Sequence, residues 1–193
     1  LNNFLPNKKI ILASGSPRRQ QYCKELGLDF SIQLKEVEEI FPDSLRHHEI
    51  TDFLAELKAN AFENELAENE ILITSDTIVW HENKALGKPK NYEEAFQMIS
   101  SMSGKTHEVI TSVCIKSKLK SEVFHSITSV TFINLSNQEI DYYITHYKPF
   151  DKAGAYGIQE WIGLIGISKI EGSYPNVVGL PVDKLYAKLK EYA

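Results

Sequence analysis

The sequence predicts an α/β protein in which helices pack on a mixed β-sheet. Short apolar runs rich in β-branched residues, among them "KIILA", "HEVITSVCIK" and "EVFHSITSVTFI", read as strands. Between them lie stretches with apolar residues at helical spacing, several opened by a capping residue. The two kinds alternate irregularly, without the regular order of an all-parallel sheet, so the sheet is expected to be mixed. A chain of 193 residues with no repeat, low-complexity tract or linker fits a single domain over 1–193, with room for two closely joined lobes.

Taken in order, "KIILA" is a short buried strand. Ser16 suits the N-cap of the first helix, Pro17 its first position and Gly27 its C-terminal cap, with Tyr22, Cys23 and Leu26 as the apolar stripe. Thr51 is expected to cap a second helix running to about Leu66. "ILITSDT" reads as a buried strand that ends at Asp76, and "TIVWHENKALG" as a hairpin. Asn91 and Glu94 make a capping-box-like start for a helix with Ala95, Met98, Ile99 and Met102 on one face, closed by Gly104. Two long strands follow. Ser136 and Glu139 form another capping box, ahead of Ile140, Tyr143, Ile144 and Tyr147. "WIGLIGISKI" is expected to be a strand, and Pro181 opens a C-terminal helix with Val182, Leu185, Tyr186 and Leu189 inward.

Composition narrows the function. Hydrophobic residues make up 42% and charged residues 24%, ordinary for a soluble protein. A formal net charge of −5 argues against a broad nucleic-acid footprint, though a small cationic pocket remains compatible with it. Cys23 and Cys114 form no CxxC pair and read as small core residues in a reducing compartment. "LNNFLPNKKIIL" has no signal-peptide core, and no apolar run approaches the roughly 20 residues needed to span a bilayer, so a cytoplasmic protein without a membrane partner is expected.

Several motif fragments lack their context. "SGKT" at 103–106 resembles the end of a P-loop, but Ile99 stands where the motif needs glycine, and a helix rather than a strand precedes it. His48, His81 and His107 each precede glutamate, yet none has the second histidine of HExxH; His47 and His48 read as a solvated polar segment. Ser14 and Ser16 lack a G-x-S-x-G elbow.

One constellation stands. In "ILASGSPRRQ", residues 11–20, a strand leads through a Ser-Gly-Ser-Pro turn into a helix whose first turn carries Arg18 and Arg19. Positive charge there opposes the helix dipole, which favours anions. Backbone N–H groups, the hydroxyls of Ser14 and Ser16 and two guanidinium groups suit phosphate oxygens. Solvated arginines with Ser16 as a plain cap satisfy the same pattern. Lys58 interrupts the apolar stripe of Leu54, Leu57, Ala61 and Phe62, so it either snorkels to water or faces a polar cleft. Lys88 in "LGKPK" adds a loop cation. Asp76 is either a turn former or an oxygen ligand for Mg²⁺ beside phosphates.

"SGSPRR", "SDT" followed by "LGKP", "SGKTHEVITSV", "DKAGAYGIQ" and "EGSYPNVVGLP" occur in the order seen in Maf proteins, and the chain resembles that family along essentially its whole length. The resemblance implies an elongated α/β fold with two lobes around a cleft, similar to inosine triphosphate pyrophosphatases. It further implies a nucleoside triphosphate pyrophosphatase dependent on a divalent cation, Mg²⁺ or Mn²⁺. Ser14, Ser16, Arg18, Arg19, Lys58 and Lys88 match the substrate-binding elements. Asp76 matches the catalytic aspartate, with Ser75 where the family's motif has alanine, and Glu39 in "VEE" matches a second acid that would share the metal.

Arg18, Thr77 and Gln159 fall at the family's specificity positions and agree with the form that hydrolyses dTTP and UTP. Gln159 offers an amide donor and acceptor for a pyrimidine edge. The alternatives are a 7-methyl-GTP enzyme and a nucleotide-sensing regulator of division without turnover; house-cleaning of modified pyrimidine nucleotides and control of the dTTP pool look alike in this sequence. Homodimers are common in the family.

Overall fold

The computed structural model describes Leu5 and residues 7–192; residues 1–4, 6 and 193, which belong to the expected 1–193 span and in part to the N-terminal stretch, lie outside the described residues. The expected α/β class holds. Among the described residues seven strands form one mixed sheet in the order β2-β1-β3-β5-β6-β7, with β4 paired to β3. They are β1 (Lys9–Leu12), β2 (Phe30–Ile32), β3 (Glu70–His81), β4 (Lys84–Leu86), β5 (Thr106–Lys116), β6 (Ser121–Phe132) and β7 (Ile167–Glu171). β1 runs parallel to β2 and β3, with Ile10 opposite both Phe30 and Ile71; β4 and β7 run antiparallel to β3 and β6. The helices are α1 (Pro17–Glu25), α2 (His48–Asn60), α3 (Tyr92–Met102), α4 (Asn137–Tyr147), α5 (Trp161–Gly166), α6 (Tyr174–Val178) and α7 (Val182–Leu189).

The chain forms two compact units. The first comprises the described residues of Leu1–Asp76, Thr111–Ser126 and Gly179–Ala193; the second is Thr77–Ile110 with Ile127–Val178. In the first unit β1 and the first half of β3 are apolar on both faces. Ile10, Leu12, Ile71 and Ile73 pack with Cys23 of α1 and Leu185 and Leu189 of α7, while the alternate residues Ile11 and Leu72 pack with Ala55 and Ala59 of α2. Covering both faces explains why "KIIL" and "ILIT" are continuous apolar runs rather than alternating ones. Both cysteines are buried core residues, as expected, and burial pushes the Cys23 thiol up to about 12. The second unit has its own core, where Val79, Val109, Val130 and Phe132 meet Ala95, Ile99 and Met102 of α3 and Ile140, Tyr143 and Ile144 of α4.

Local signals placed several boundaries. Ser16 accepts from the Arg19 N–H as the N-cap of α1, and Gly27 follows its end with φ 72°. The Ser136–Glu139 capping box is complete. Asn91 caps α3, and the Glu94 carboxylate accepts from the Lys90 N–H, one residue earlier than in a full box.

Three expectations need correction. First, α2 starts at His48, not after Thr51, and stops at Asn60, short of Leu66. Thr51 lies in the first turn on the buried face, where its hydroxyl donates to the His48 carbonyl, while the Glu49 carboxylate satisfies the Arg46 N–H ahead of the helix. Second, β3 does not end at Asp76. The β-branched and aromatic "TIVW" continues it to His81, and the hairpin turn follows at Glu82 and Asn83, with φ 48° and 61°. Asp76 is therefore a mid-strand residue. Third, "WIGLIG" is helical and only "ISKIE" is strand. Its buried residues, Ile162 and Gly166, are four apart on one helical face, a spacing that a six-residue apolar run conceals.

Candidate active site

Two carboxylates converge on one lysine in the first unit. The Lys58 ammonium donates to Asp76 Oδ1 at 2.6 Å and lies 3.0 Å from Glu39 Oε1. Asp76 comes from the middle of β3, Lys58 from the last turn of α2 and Glu39 from the loop after β2. Asp76 is only 7% exposed, so its charge is held by this partner rather than by bulk water. Lys58 thus turns into a polar cluster and does not snorkel away from it.

The strand–turn–helix segment sits beside Asp76 in β3. Ser14 is buried, and its Oγ accepts from the Ser16 N–H at 3.3 Å and from Arg19 Nη1 at 3.4 Å. Arg19 also donates from Nη1 to the Ser75 carbonyl at 2.8 Å and from Nε to the Gly179 carbonyl at 2.9 Å. One guanidinium therefore fastens the start of α1 to β3 and to the glycine of "NVVGLP". Burial lowers the Arg19 pKa from its ordinary value, and the Asp76 carboxylate acts in the opposite sense. Arg18 is half-buried in the first turn of α1.

Thr77, half-buried, follows Asp76 on β3. Lys88 and Gln159 are exposed residues of the second unit. The blocks that carry them are joined there: the Gly154 N–H donates to the Gly87 carbonyl at 3.0 Å. Gln159 precedes α5 on a segment pinned by buried Lys152, which lies 2.7 Å from Asp151 and 3.0 Å from Glu160, and by the Tyr143 hydroxyl, which donates to Glu160 and accepts from the Gly157 N–H at 2.9 Å. Lys152 and Glu160 are eight positions apart in a segment that forms no continuous helix, and nothing in the sequence pairs them.

Asp76 and Glu39 supply oxygen donors only, the set that hard divalent cations take. A second group able to hold a divalent cation is His48, Asp52 and His125, and it replaces the expected solvated segment at His48. The i, i+4 spacing of His48 and Asp52 was its one sequence signal; His125 lies on β6. Among the described residues no helix is long and apolar enough to cross a membrane.

Comparison with known proteins agrees with this arrangement of motifs. Residues 9–192 match the family described as Maf-like protein. The chain is 66% identical over 189 residues to the dTTP/UTP pyrophosphatase of Flavobacterium johnsoniae, covering 98% of this chain and 97% of that protein. It is 50% identical over 188 residues to the dTTP/UTP pyrophosphatase of Bacteroides fragilis, covering 97% of each. Among solved structures it resembles the Staphylococcus aureus Ham1 protein with a TM-score of 0.55 at 16% identity, over 96% of this chain and 100% of that one, a likeness of fold. A match over residues 9–192, together with relatives at this identity along nearly their full length, places the chain in the Maf-like protein family.

Proposed function

We propose that the protein is a dTTP/UTP pyrophosphatase, converting a nucleoside triphosphate and water into the nucleoside monophosphate and pyrophosphate. The observation that carries the reading is the buried Asp76 carboxylate held by Lys58, with Glu39 on the same ammonium, beside the serine–arginine start of α1. The relatives named dTTP/UTP pyrophosphatase support the choice of substrate.

The substrate carries roughly four negative charges near neutral pH, since a terminal phosphate has a second pKa near 6. Arg18, the backbone N–H groups at the start of α1 and the hydroxyls of Ser14 and Ser16 suit its oxygens. Arg19 spends donors on the carbonyls of Ser75 and Gly179, so its main part is to hold that phosphate-facing turn against β3. Asp76 orients the attacking water and takes its proton, and Lys58 holds the carboxylate in position. Asp76 and Glu39 are the residues that would hold Mg²⁺ or Mn²⁺, which when bound would offset phosphate charge and lower the pKa of coordinated water. In the second unit Lys88 is assigned to phosphate, and Thr77 and Gln159 to the choice of base with Arg18.

The test is pyrophosphate release from dTTP, UTP, CTP, ATP, GTP and 7-methyl-GTP, with Mg²⁺ or Mn²⁺ and with EDTA. Metal-dependent cleavage of dTTP and UTP is expected. Asp76→Asn should lower turnover by at least about 100-fold while dTTP still binds. Full activity in that variant removes Asp76 from the mechanism, and cleavage confined to 7-methyl-GTP removes the pyrimidine assignment.

A further inference from the structure

The first unit carries a second polar cluster on the opposite end of α2 from Lys58. His48 and Asp52 sit one helical turn apart in the first turns of α2, so their side chains share a face. His125 reaches the same place from β6. One ligand atom from each of the three lies within 4.8 Å of the others. His125 Nδ1 is 3.2 Å from Asp52 Oδ2, and the imidazoles of His48 and His125 lie face to face, 4.2 Å between centroids with a 31° tilt.

The support around these residues is itself ordered. Asp52 Oδ1 accepts from the Ser112 hydroxyl of β5 at 2.6 Å, and Ser112 also reaches the Thr51 hydroxyl at 2.6 Å. The Lys184 ammonium of α7 donates to the His125 carbonyl at 2.9 Å, fixing the strand that presents the ring. Hydrogen bonds that orient a carboxylate and the strand bearing a histidine are the usual surroundings of a metal ligand set. All three residues are half-buried: shielded enough to keep a geometry, open enough for an ion to enter.

We propose that His48, Asp52 and His125 form a binding site for a zinc-class transition ion, distinct from the Asp76–Glu39 carboxylates. Two imidazoles and one carboxylate match the donor preference of Zn²⁺ or Co²⁺ and suit Mg²⁺ poorly, because Mg²⁺ takes oxygen ligands. Three protein ligands leave a coordination position for water. With the ion bound, the beginning of α2 is cross-linked to β6. Lys58 lies six positions beyond Asp52, roughly 9 Å along the helix axis, so the site anchors the helix that delivers the active-site lysine.

The experiment is a titration of chelator-stripped full-length protein with ZnCl2 by calorimetry, and with CoCl2 by visible absorption, for the wild type, His48→Ala, His125→Ala, His125→Gln and Asp76→Asn. One Zn²⁺ per chain is expected in the wild type and in Asp76→Asn, unchanged by millimolar MgCl2. Each histidine variant should weaken it by at least about tenfold. Histidine ring signals in the NMR spectrum of the wild type provide a readout that needs no variant: those of His48 and His125 should shift on Zn²⁺ addition. No binding, equal affinity in the histidine variants, unmoved ring signals, or loss of the ion in Asp76→Asn would each overturn the proposal. The last outcome would place the ion at the active-site carboxylates.

Discussion

Ser75 and Asp76 are neighbours on β3 with opposite circumstances. The Asp76 carboxylate is buried but paired with Lys58, whereas the Ser75 hydroxyl is buried with no hydrogen-bond partner among the described residues. An unsatisfied hydroxyl costs about 1–3 kcal/mol of desolvation. Ser75→Ala should therefore stabilise the protein by about 1 kcal/mol, read as a raised urea midpoint at unchanged slope. His107 offers a test through pH. It is buried, shares a 2.7 Å hydrogen bond with the Tyr156 hydroxyl, and burial, aided by His81, lowers its pKa to about 3. In the unfolded chain a histidine titrates near 6.5, so between those values the unfolded state binds the proton and the folded state does not. The contribution is fully present above about 6.5 and is lost as pH falls, by up to about 1.4 kcal/mol per unit. Urea denaturation from pH 7 to pH 4 should show that decline, and His107→Gln should flatten it. An equal slope in the variant would assign the decline to other groups.

The elements show which sequence signals carry structural information. Ser16, Asn91 and Ser136 cap their helices as their side chains allow, because a capping bond is made within three residues. Thr51 has the same chemistry but lies on the buried face of α2, and burial outweighs its preference for a cap. Apolar runs are ambiguous for the opposite reason: "TIVW" and "WIGLIG" are each too short for their period to be read. Gly154 lies in the block carrying Gln159 and has φ 66°; a Cβ there would sit 2.7 Å from Val79 Cγ2. Gly154→Ala combines a left-handed backbone with overpacking and should destabilise the protein by about 2–4 kcal/mol in chemical denaturation. Because the Gly154 N–H holds the Gly87 carbonyl, the same change should raise KM for dTTP through Lys88 and Gln159.

For the whole molecule, ligand linkage is the relevant quantity. A nucleotide that binds only the folded protein at 100 times its Kd adds about 2.7 kcal/mol. At roughly 2–4 °C per kcal/mol for a chain of this size, dTTP with Mg²⁺ should raise the Tm of Asp76→Asn by about 5–11 °C, and 7-methyl-GTP should raise it less. Equal shifts for the two nucleotides would remove Arg18, Thr77 and Gln159 as the basis of specificity. The sequence by itself determined the α/β class, the helix caps at Ser16, Asn91 and Ser136, the core role of both cysteines and the motif blocks of the family, because each depends on residues close together in the chain. Tertiary structure alone decided that Asp76 lies mid-strand and shares the Lys58 ammonium with Glu39, that Arg19 clamps Ser75 and Gly179, and that His125 joins His48 and Asp52. Those contacts join segments far apart in sequence, and they form because the sheet and its covering helices bring them together while burying their apolar faces.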